Sequence, residues 1–166
     1  ATVLGILFGI LGALYKGRWP DTLLMVFSIF GMSLPSFVAA ILFMWVFAYL
    51  LGNLTGLEVT GSLYEIDEFE GKRLVLKNLI LPAITLGVRP LAVFMQLTRN
   101  SMLDVLSMDY VRTATAKGLS FKTVILKHAL RNALNPVITA ISGWLASLLA
   151  GAVFVEIVFG WKGLGL

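Results

Sequence analysis

Long apolar runs separated by shorter polar segments dominate the sequence. Four runs are long enough, or nearly so, to cross a hydrocarbon layer of about 30 Å as a helix that rises about 1.5 Å per residue. They cover residues 1–15, 23–51, 78–98 and 133–158. Backbone polar groups in lipid must pair within the chain, and these runs exceed the length of a barrel strand, so all four are predicted to be helices. The predicted fold is all-α, a transmembrane helical bundle forming a single domain over residues 1–166.

Charged residues lie almost entirely in the connections between these runs. The connection at residues 16–21 carries Lys16 and Arg18, and the one at residues 99–131 carries six basic residues against two acidic ones. The connection at residues 52–77 is richer in acidic residues, which are Glu58, Glu65, Asp67, Glu68 and Glu70. Because basic connections stay in the cytoplasm, residues 16–21 and 99–131 are predicted to be cytoplasmic and the loop at residues 52–77 external.

Composition excludes several classes of protein. Of 166 residues, 58% are hydrophobic and 13% charged, and the mean hydropathy is +0.92, which leaves too few polar groups to cover a soluble domain. The chain has no cysteine and one histidine, so no metal site, cofactor or catalytic residue is predicted. The net charge of +4 is placed between apolar runs, which favours membrane lipid and not nucleic acid as the partner of the basic residues.

The basic loop at residues 99–131 is unusually long and patterned. Its first part predicts a helix that continues from the third run, Gly118 interrupts the pattern, and Ser120 can cap a second helix that starts at Phe121. In that second helix one stripe is predicted to contain Phe121, Val124, Ile125, His128 and Ala129, with Lys122, Lys127 and Arg131 facing elsewhere. Taken alone, this pattern also fits an amphipathic hairpin that binds anionic lipid at the membrane surface.

The residues of this loop closely resemble a known motif. Residues 109–120 (DYVRTATAKGLS) and 127–136 (KHALRNALNP) are similar to the cytoplasmic EAA loop of ABC-importer permeases, especially the dipeptide, oligopeptide and nickel branch. The resemblance extends to residues 97–102 (LTRNSM), 151–156 (GAVFVE) and 160–165 (GWKGLG). Arg112, where the general motif is acidic, and the late Pro136 are departures that are usual in the peptide branch.

The resemblance implies a fold, a set of partners and a location. The fold is that of type I ABC importer permeases, in a multi-pass protein of the bacterial cytoplasmic (inner) membrane. The partners are a second permease subunit, two cytoplasmic ATP-binding subunits, an extracytoplasmic substrate-binding protein and membrane lipid.

Since the chain begins within an apolar run and ends in a glycine-rich turn, we expect it to be part of a longer protein, truncated at both ends.

The resemblance also implies roles for single residues. The first helix of the loop docks on the ATPase, and the small side chains allow close approach; this docking loop comprises Asp109, Tyr110, Arg112, Thr113, Ala114, Lys117 and Gly118. Arg131, Asn132 and Pro136 support it. No phosphate-binding motif of the form Gly-x-x-x-x-Gly-Lys-Ser/Thr occurs in the sequence, so the chain is predicted not to be an enzyme and ATP hydrolysis is expected on the partner subunits.

Three questions stay open at the level of sequence. Arg89, a charge within the third run, either pairs inside the bundle or lines the substrate pathway. Gly5 and Gly9 form a Gly-x-x-x-Gly pair that serves either packing within the chain or a subunit interface. The predicted substrate is a peptide; the alternatives are nickel or another small solute in the same architecture, and a structural or enzymatic membrane protein whose basic loop binds lipid.

Overall fold

The computed structural model describes residues 1–67, 71–161 and 163. The predictions that involve Glu68, Glu70, Lys162 and residues 164–166 lie outside the described residues. The amino-terminal elements are α1 (Thr2–Leu14), α2 (Trp19–Ser33), α3 (Ser36–Phe43), which continues as the π-helical segment Met44–Leu50, and α4 (Gly52–Thr55). A hairpin of β1 (Tyr64–Asp67) and β2 (Gly71–Leu74) follows, then a 3-10 turn, Leu76–Leu79.

The second half of the chain is helical. Its elements are α5 (Ile80–Leu106), α6 (Asp109–Ala116), α7 (Phe121–Thr123), a π-helical segment (Val124–Ala129), α8 (Leu130–Ala133) and α9 (Asn135–Phe159). Pro90 lies inside α5, where its missing N–H leaves the carbonyl of Leu86 without its usual helical donor. The helix nevertheless continues to Leu106, so the third apolar run extends directly into the long basic loop.

Within the described part of the chain, residues 1–67, 71–161 and 163, two helices are individually long and apolar enough to cross a membrane. They are Leu76–Leu106, which includes the 3-10 turn, and Asn135–Phe159, while α2 together with Ser36–Leu50 passes the same test as one bent pair. The bend occurs at Leu34 and Pro35, because the residue before a proline is disfavoured in helical geometry. The 13-residue α1 is shorter than the roughly 20 residues a span needs, so two or three candidate spans stand where the sequence predicts about four.

A short antiparallel hairpin departs from the all-α prediction. β1 and β2 pair in a register that places Tyr64 opposite Leu74 and Glu65 opposite Arg73. The alternation of apolar and acidic residues over 64–67 is the period-2 pattern of a strand, and it is the local sequence signal for this hairpin. The hairpin lies in the loop predicted to be external.

The chain divides into two compact units. Unit 1 contains Ala1–Met32 and Pro90–Trp144, and unit 2 contains Ser33–Arg89 and the chain from Leu145 onward. The core of unit 2 is formed by Ala40, Ala48, Leu81, Val155 and Phe159. Unit 1 holds the basic loop and its packing partners, so it is the part that matters most for the candidate site.

Close contact between α1 and α5 depends on two glycines in unit 1. A Cβ on Gly9 would lie 2.5 Å from the Cβ of Thr98 and 2.7 Å from the carbonyl oxygen of Met95, and one on Gly5 would lie 2.9 Å from the carbonyl oxygen of Leu91. Real side chains do not tolerate such distances, so only glycine permits this approach of the two backbones. The Gly-x-x-x-Gly pair therefore serves packing within the chain, which confirms the first of its two interpretations.

An ion pair joins α2 to α5 where α5 approaches the basic loop. The Arg99 Nε donates to Asp21 Oδ1 at 2.5 Å, and Arg99 Nη2 donates to Asp21 Oδ2 at 2.7 Å. The backbone N–H of Gly17 also donates to Asp21 Oδ2, at 2.9 Å, and Asp21 is only 4% exposed. Arg99 is one of the basic residues of the loop at residues 99–131, but its side chain is paired with a buried carboxylate. The pair fixes the α1–α2 turn against α5.

Removing one member of this pair should destabilise the chain strongly. In Asp21→Asn, the guanidinium of Arg99 loses a charged partner in a largely buried position, which typically costs about 3 to 5 kcal/mol. We expect a large drop in the free energy of unfolding, measured for the purified protein in detergent. Asp104→Asn is the matched control, at an exposed position of α5, the helix that carries Arg99. It should change the free energy of unfolding little.

A double variant separates the charge from the packing. Asp21→Asn combined with Arg99→Gln removes both charges, so part of the lost stability should return. Equal stability of Asp21→Asn and the parent protein would show that the ion pair does not hold this turn.

Candidate functional site

The candidate site is the loop that follows α5, and it rests on a core of its own. Val111 and Ala114 from α6 are buried with Met102 and Val105 of α5. The same cluster includes residues from the second half of the loop and from α1, namely Val124, Ile125, Ala129, Ala133 and Ala13. Because one continuous core joins α6 to α5 and α1, the loop is held in a defined position relative to these helices.

The two faces of α6 differ in chemistry. Its outer face is exposed and carries charged or small residues, namely Asp109, Arg112, Thr113, Thr115, Ala116 and the adjoining Lys117. Asp109 lies in the first turn of α6, where a negative charge is favoured by the helix dipole, and it is 3.9 Å from the Arg112 guanidinium. Between the long side chains of Arg112 and Lys117 the outward surface is formed by short ones, Thr113, Thr115 and Ala116, which a protein partner could approach closely.

Ala114 does not belong to that surface. It is predicted to be one of the small docking residues, but it is 6% exposed and packs in the core beneath α6. On an eight-residue helix positions 111 and 114 share the inner face, so the small side chain of Ala114 allows α6 to lie close to its own chain. Ala114 therefore contributes to the core beneath the docking loop, and the role of that loop stays a prediction.

The end of α6 is fixed by a Schellman motif centred on Gly118. The N–H of Leu119 donates to the carbonyl of Ala114 at 3.4 Å, and the N–H of Gly118 donates to that of Thr115 at 3.0 Å. Gly118 has φ of 77°, a left-handed conformation that favours glycine. Apart from the two adjoining residues, no atom of the described chain lies within 4 Å of a Cβ placed there, so the backbone conformation and not lack of space requires the glycine.

Tyr110 connects α6 to α8. Its hydroxyl donates to the carbonyl oxygen of His128 at 3.3 Å and accepts from Nδ2 of Asn132 at 2.8 Å. Tyr110 is predicted to be a docking residue and Asn132 a supporting residue, and the structure brings the two side chains together. Tyr110 therefore holds the two halves of the loop in register.

The second half of the loop begins at a side-chain cap. The Oγ of Ser120 accepts from the N–H of Thr123 at 3.4 Å, which confirms the predicted cap. Of the residues predicted to share one stripe, Val124, Ile125 and Ala129 are buried, whereas Phe121 is 68% exposed. The π-helical segment Val124–Ala129 has a wider turn than an α-helix, so the regular spacing that put Phe121 on the stripe does not hold here.

A groove lies where α5 ends and α6 packs on it. It has a volume of about 420 Å³ and is lined by Leu106, Val111, Arg112, Thr115 and Ala116. Its lining is mostly apolar and includes the cation Arg112, so it can accept an apolar side chain next to an acidic group.

The remaining candidates are at the surface of the chain. Arg131 and Pro136 are exposed, as is Arg89, and Pro136 is the second residue of α9, a position whose N–H no helical carbonyl requires. Arg89 directly precedes Pro90 in the middle of α5. Among residues 1–67, 71–161 and 163, no three His, Asp or Glu side chains are grouped in a way that could hold a metal ion.

Comparison with known proteins assigns the family. Residues 5–166 match the family described as binding-protein-dependent transport system inner membrane component. The chain is 39% identical to the dipeptide transport system permease protein DppB of Alkalihalophilus pseudofirmus, over 99% of this chain and 54% of that protein. It is 42% identical to the glutathione transport system permease protein GsiC of Escherichia coli K12, over 99% of this chain and 49% of that protein.

The chain thus spans about half the length of the curated relatives it matches. The family match confirms the resemblance seen in residues 109–136, and with it the helical fold of type I ABC permeases. This chain belongs to the family of binding-protein-dependent transport system inner membrane components.

Proposed function

We propose that this chain is part of the membrane-spanning subunit of an ATP-driven peptide importer, forming part of the substrate pathway and coupling it to ATPase subunits. The relatives described above are named as dipeptide and glutathione permeases. Both names refer to a peptide substrate, which supports peptides over nickel or other solutes. The single observation that supports the coupling role is the packing of α6. Its inner face packs into a core shared with α5 and α1, and its outer face is exposed.

The geometry supports a mechanism in which the loop transmits movement. An ATPase subunit binds the outer face of α6, with Arg112 and Lys117 offering charges and Thr113 allowing close approach. A displacement of α6 is passed to α5 through Val111 and Ala114, since a packed core does not deform continuously. The Arg99–Asp21 pair then carries α2 along with α5.

The complete importer needs partners that supply the chemistry this chain lacks. We propose a second permease subunit, two cytoplasmic ATP-binding subunits that hydrolyse ATP, and an extracytoplasmic protein that delivers the peptide. The assembly lies in the bacterial inner membrane, in agreement with the family description. Residues 16–21 and 99–131 face the cytoplasm and residues 52–77 face the outside.

A pair of substitutions at Gly118 tests the coupling role. A β-branched residue at φ of 77° costs about 1 to 2 kcal/mol in backbone strain, so Gly118→Val should shift α6 from its docking position. In proteoliposomes containing the full-length chain and its partners, we expect ATP-dependent uptake of a labelled dipeptide by the parent. Gly118→Val should import several-fold less dipeptide per ATP hydrolysed.

Gly118→Asn is the matched control, because asparagine adopts the left-handed conformation more readily and no neighbour obstructs its side chain. It should retain most of the uptake per ATP. Normal coupling in Gly118→Val would exclude this turn from the mechanism, and a parent complex that imports nickel but no peptide would exclude the proposed substrate.

The proposed topology can be tested with single cysteines, since the chain contains none. Thr60→Cys and Lys122→Cys replace exposed residues on the two loops that are proposed to face opposite sides. In intact cells, a thiol reagent that does not cross the membrane should label position 60 and not position 122, with both labelled after the membrane is permeabilised. The reverse pattern would invert the topology.

We further propose that Arg89 lines the substrate pathway. It is exposed on this chain, and contact of a charged side chain with lipid near the middle of a span costs at least about 2.5 kcal/mol, so its exposed surface is better explained by a polar pathway that meets carboxylate or carbonyl groups of the peptide. Arg89→Ala should leave the assembled complex intact but lower dipeptide uptake, and Arg89→Lys should retain part of it. Loss of the folded complex in Arg89→Ala would instead assign Arg89 a role in packing.

A further inference from the structure

A groove between α1 and α2 is not used by the proposed transport mechanism. It has a volume of about 510 Å³, and its lining includes Phe8 and Leu11 from α1 and Leu23 from α2. These side chains are apolar, and the groove lies on helices that are themselves largely apolar on the outside. Its interior is thus suited to a hydrocarbon chain.

The rim of the groove differs from its interior. Tyr15, Arg18 and Trp19 line the end formed by the turn between the two helices, and Trp19 is 75% exposed. Tyrosine and tryptophan rings at the end of apolar helices are typical of the level of the lipid headgroups, where one edge of the ring is polar and the rest is apolar. The rim therefore marks the height at which a headgroup would lie.

The turn between α1 and α2 is positively charged, and the carboxylate of Asp21 does not neutralise it. Residues 1–32 contain one acidic residue, Asp21, and both of its oxygens are engaged by Arg99 and by the backbone of Gly17. The two nearby cations, Lys16 and Arg18, are exposed. Arg18 lines the groove, so an anion bound at the rim would meet a guanidinium whose neighbouring carboxylate is already neutralised.

We propose that this groove binds one anionic phospholipid, with an acyl chain along Phe8, Leu11 and Leu23 and the phosphate at Arg18. A phospholipid matches both parts of the site, because it joins an anionic group to a long apolar chain, whereas a soluble anion would leave the apolar interior open. Arginine suits a phosphate because its planar guanidinium can donate two parallel hydrogen bonds. The proposal concerns binding alone and does not depend on transport activity.

Tryptophan fluorescence can report on the occupant of the groove. In the full-length chain, every tryptophan except Trp19 is replaced by phenylalanine, and the protein is placed in lipid nanodiscs that contain brominated phosphatidylglycerol or brominated phosphatidylcholine at the same mole fraction. Bromine quenches indole fluorescence at short range, so quenching measures which lipid occupies the groove. We expect phosphatidylglycerol to be preferred about five-fold, as one basic residue near the headgroup region provides.

Two variants test the role assigned to Arg18. Arg18→Gln should abolish the preference, and Arg18→Lys should keep most of it while showing that position 18 tolerates change. Lys122→Gln, which removes an exposed cation of the basic loop that does not line the groove, is the matched control and should keep the full preference.

Three results would overturn the proposal. Equal quenching by both lipids would mean that the groove contacts bulk lipid without selecting a headgroup. Absence of quenching by either lipid would mean that protein covers the groove. A phosphatidylglycerol preference that survives Arg18→Gln would place the anionic site elsewhere.

Discussion

The ion pair between Asp21 and Arg99 is the constraint on which the arrangement of unit 1 depends. Two charged groups placed among apolar helices are costly apart and tolerable together, so their pairing specifies one relative position of α2 and α5. The bidentate geometry fixes orientation as well as distance. Gly9 fixes α1 on the same helix through backbone contact, and the Gln96 amide, which donates to Ser28 Oγ at 2.8 Å, adds a second polar contact between α2 and α5. α5 ends at Leu106, only two turns beyond Arg99, so the position of α6 and of the chain that follows it depends on these contacts.

Local interactions then shape the loop itself. The Schellman turn at Gly118 and the cap at Ser120 involve only residues close in sequence, whereas the hydrogen bond between Tyr110 and Asn132 joins residues 22 positions apart. The first two define how the chain turns, and the third decides where α6 lies on α8. These contacts hold the loop in one defined arrangement, which the proposed coupling role requires because a flexible loop would absorb the movement of its partner.

The parts of the structure that the sequence predicts are those with a local or periodic cause. The apolar runs, the break at Gly118 and the cap at Ser120 follow from spacing and backbone preference. The Asp21–Arg99 pair could not be predicted in this way, because the two residues are 78 positions apart and each looks like an ordinary loop charge. The exposure of Phe121 and the burial of Ala114 do not follow from spacing either. A π-helical turn changes the helical period after Phe121, and a small side chain such as Ala114 fits a buried face as well as a docking face. The hairpin has a local signal in residues 64–67, but this signal covers only four residues and is weak beside the long apolar runs around it. The roles of the docking residues, of Arg131 and of Arg89 stay predictions.

The two-faced character of α6 has a consequence for divergence within the family. The residues that set the position of the helix, Val111 and Ala114, point inward, and the turn that ends it is fixed by backbone hydrogen bonds and by Gly118. The outward residues, such as Arg112 and Thr113, contribute little to holding the loop in place. In the proposed coupling role, substitutions on the outer face can therefore alter which ATPase the helix recognises while its geometry is preserved, so that partner choice and mechanical coupling can evolve separately in a single short helix.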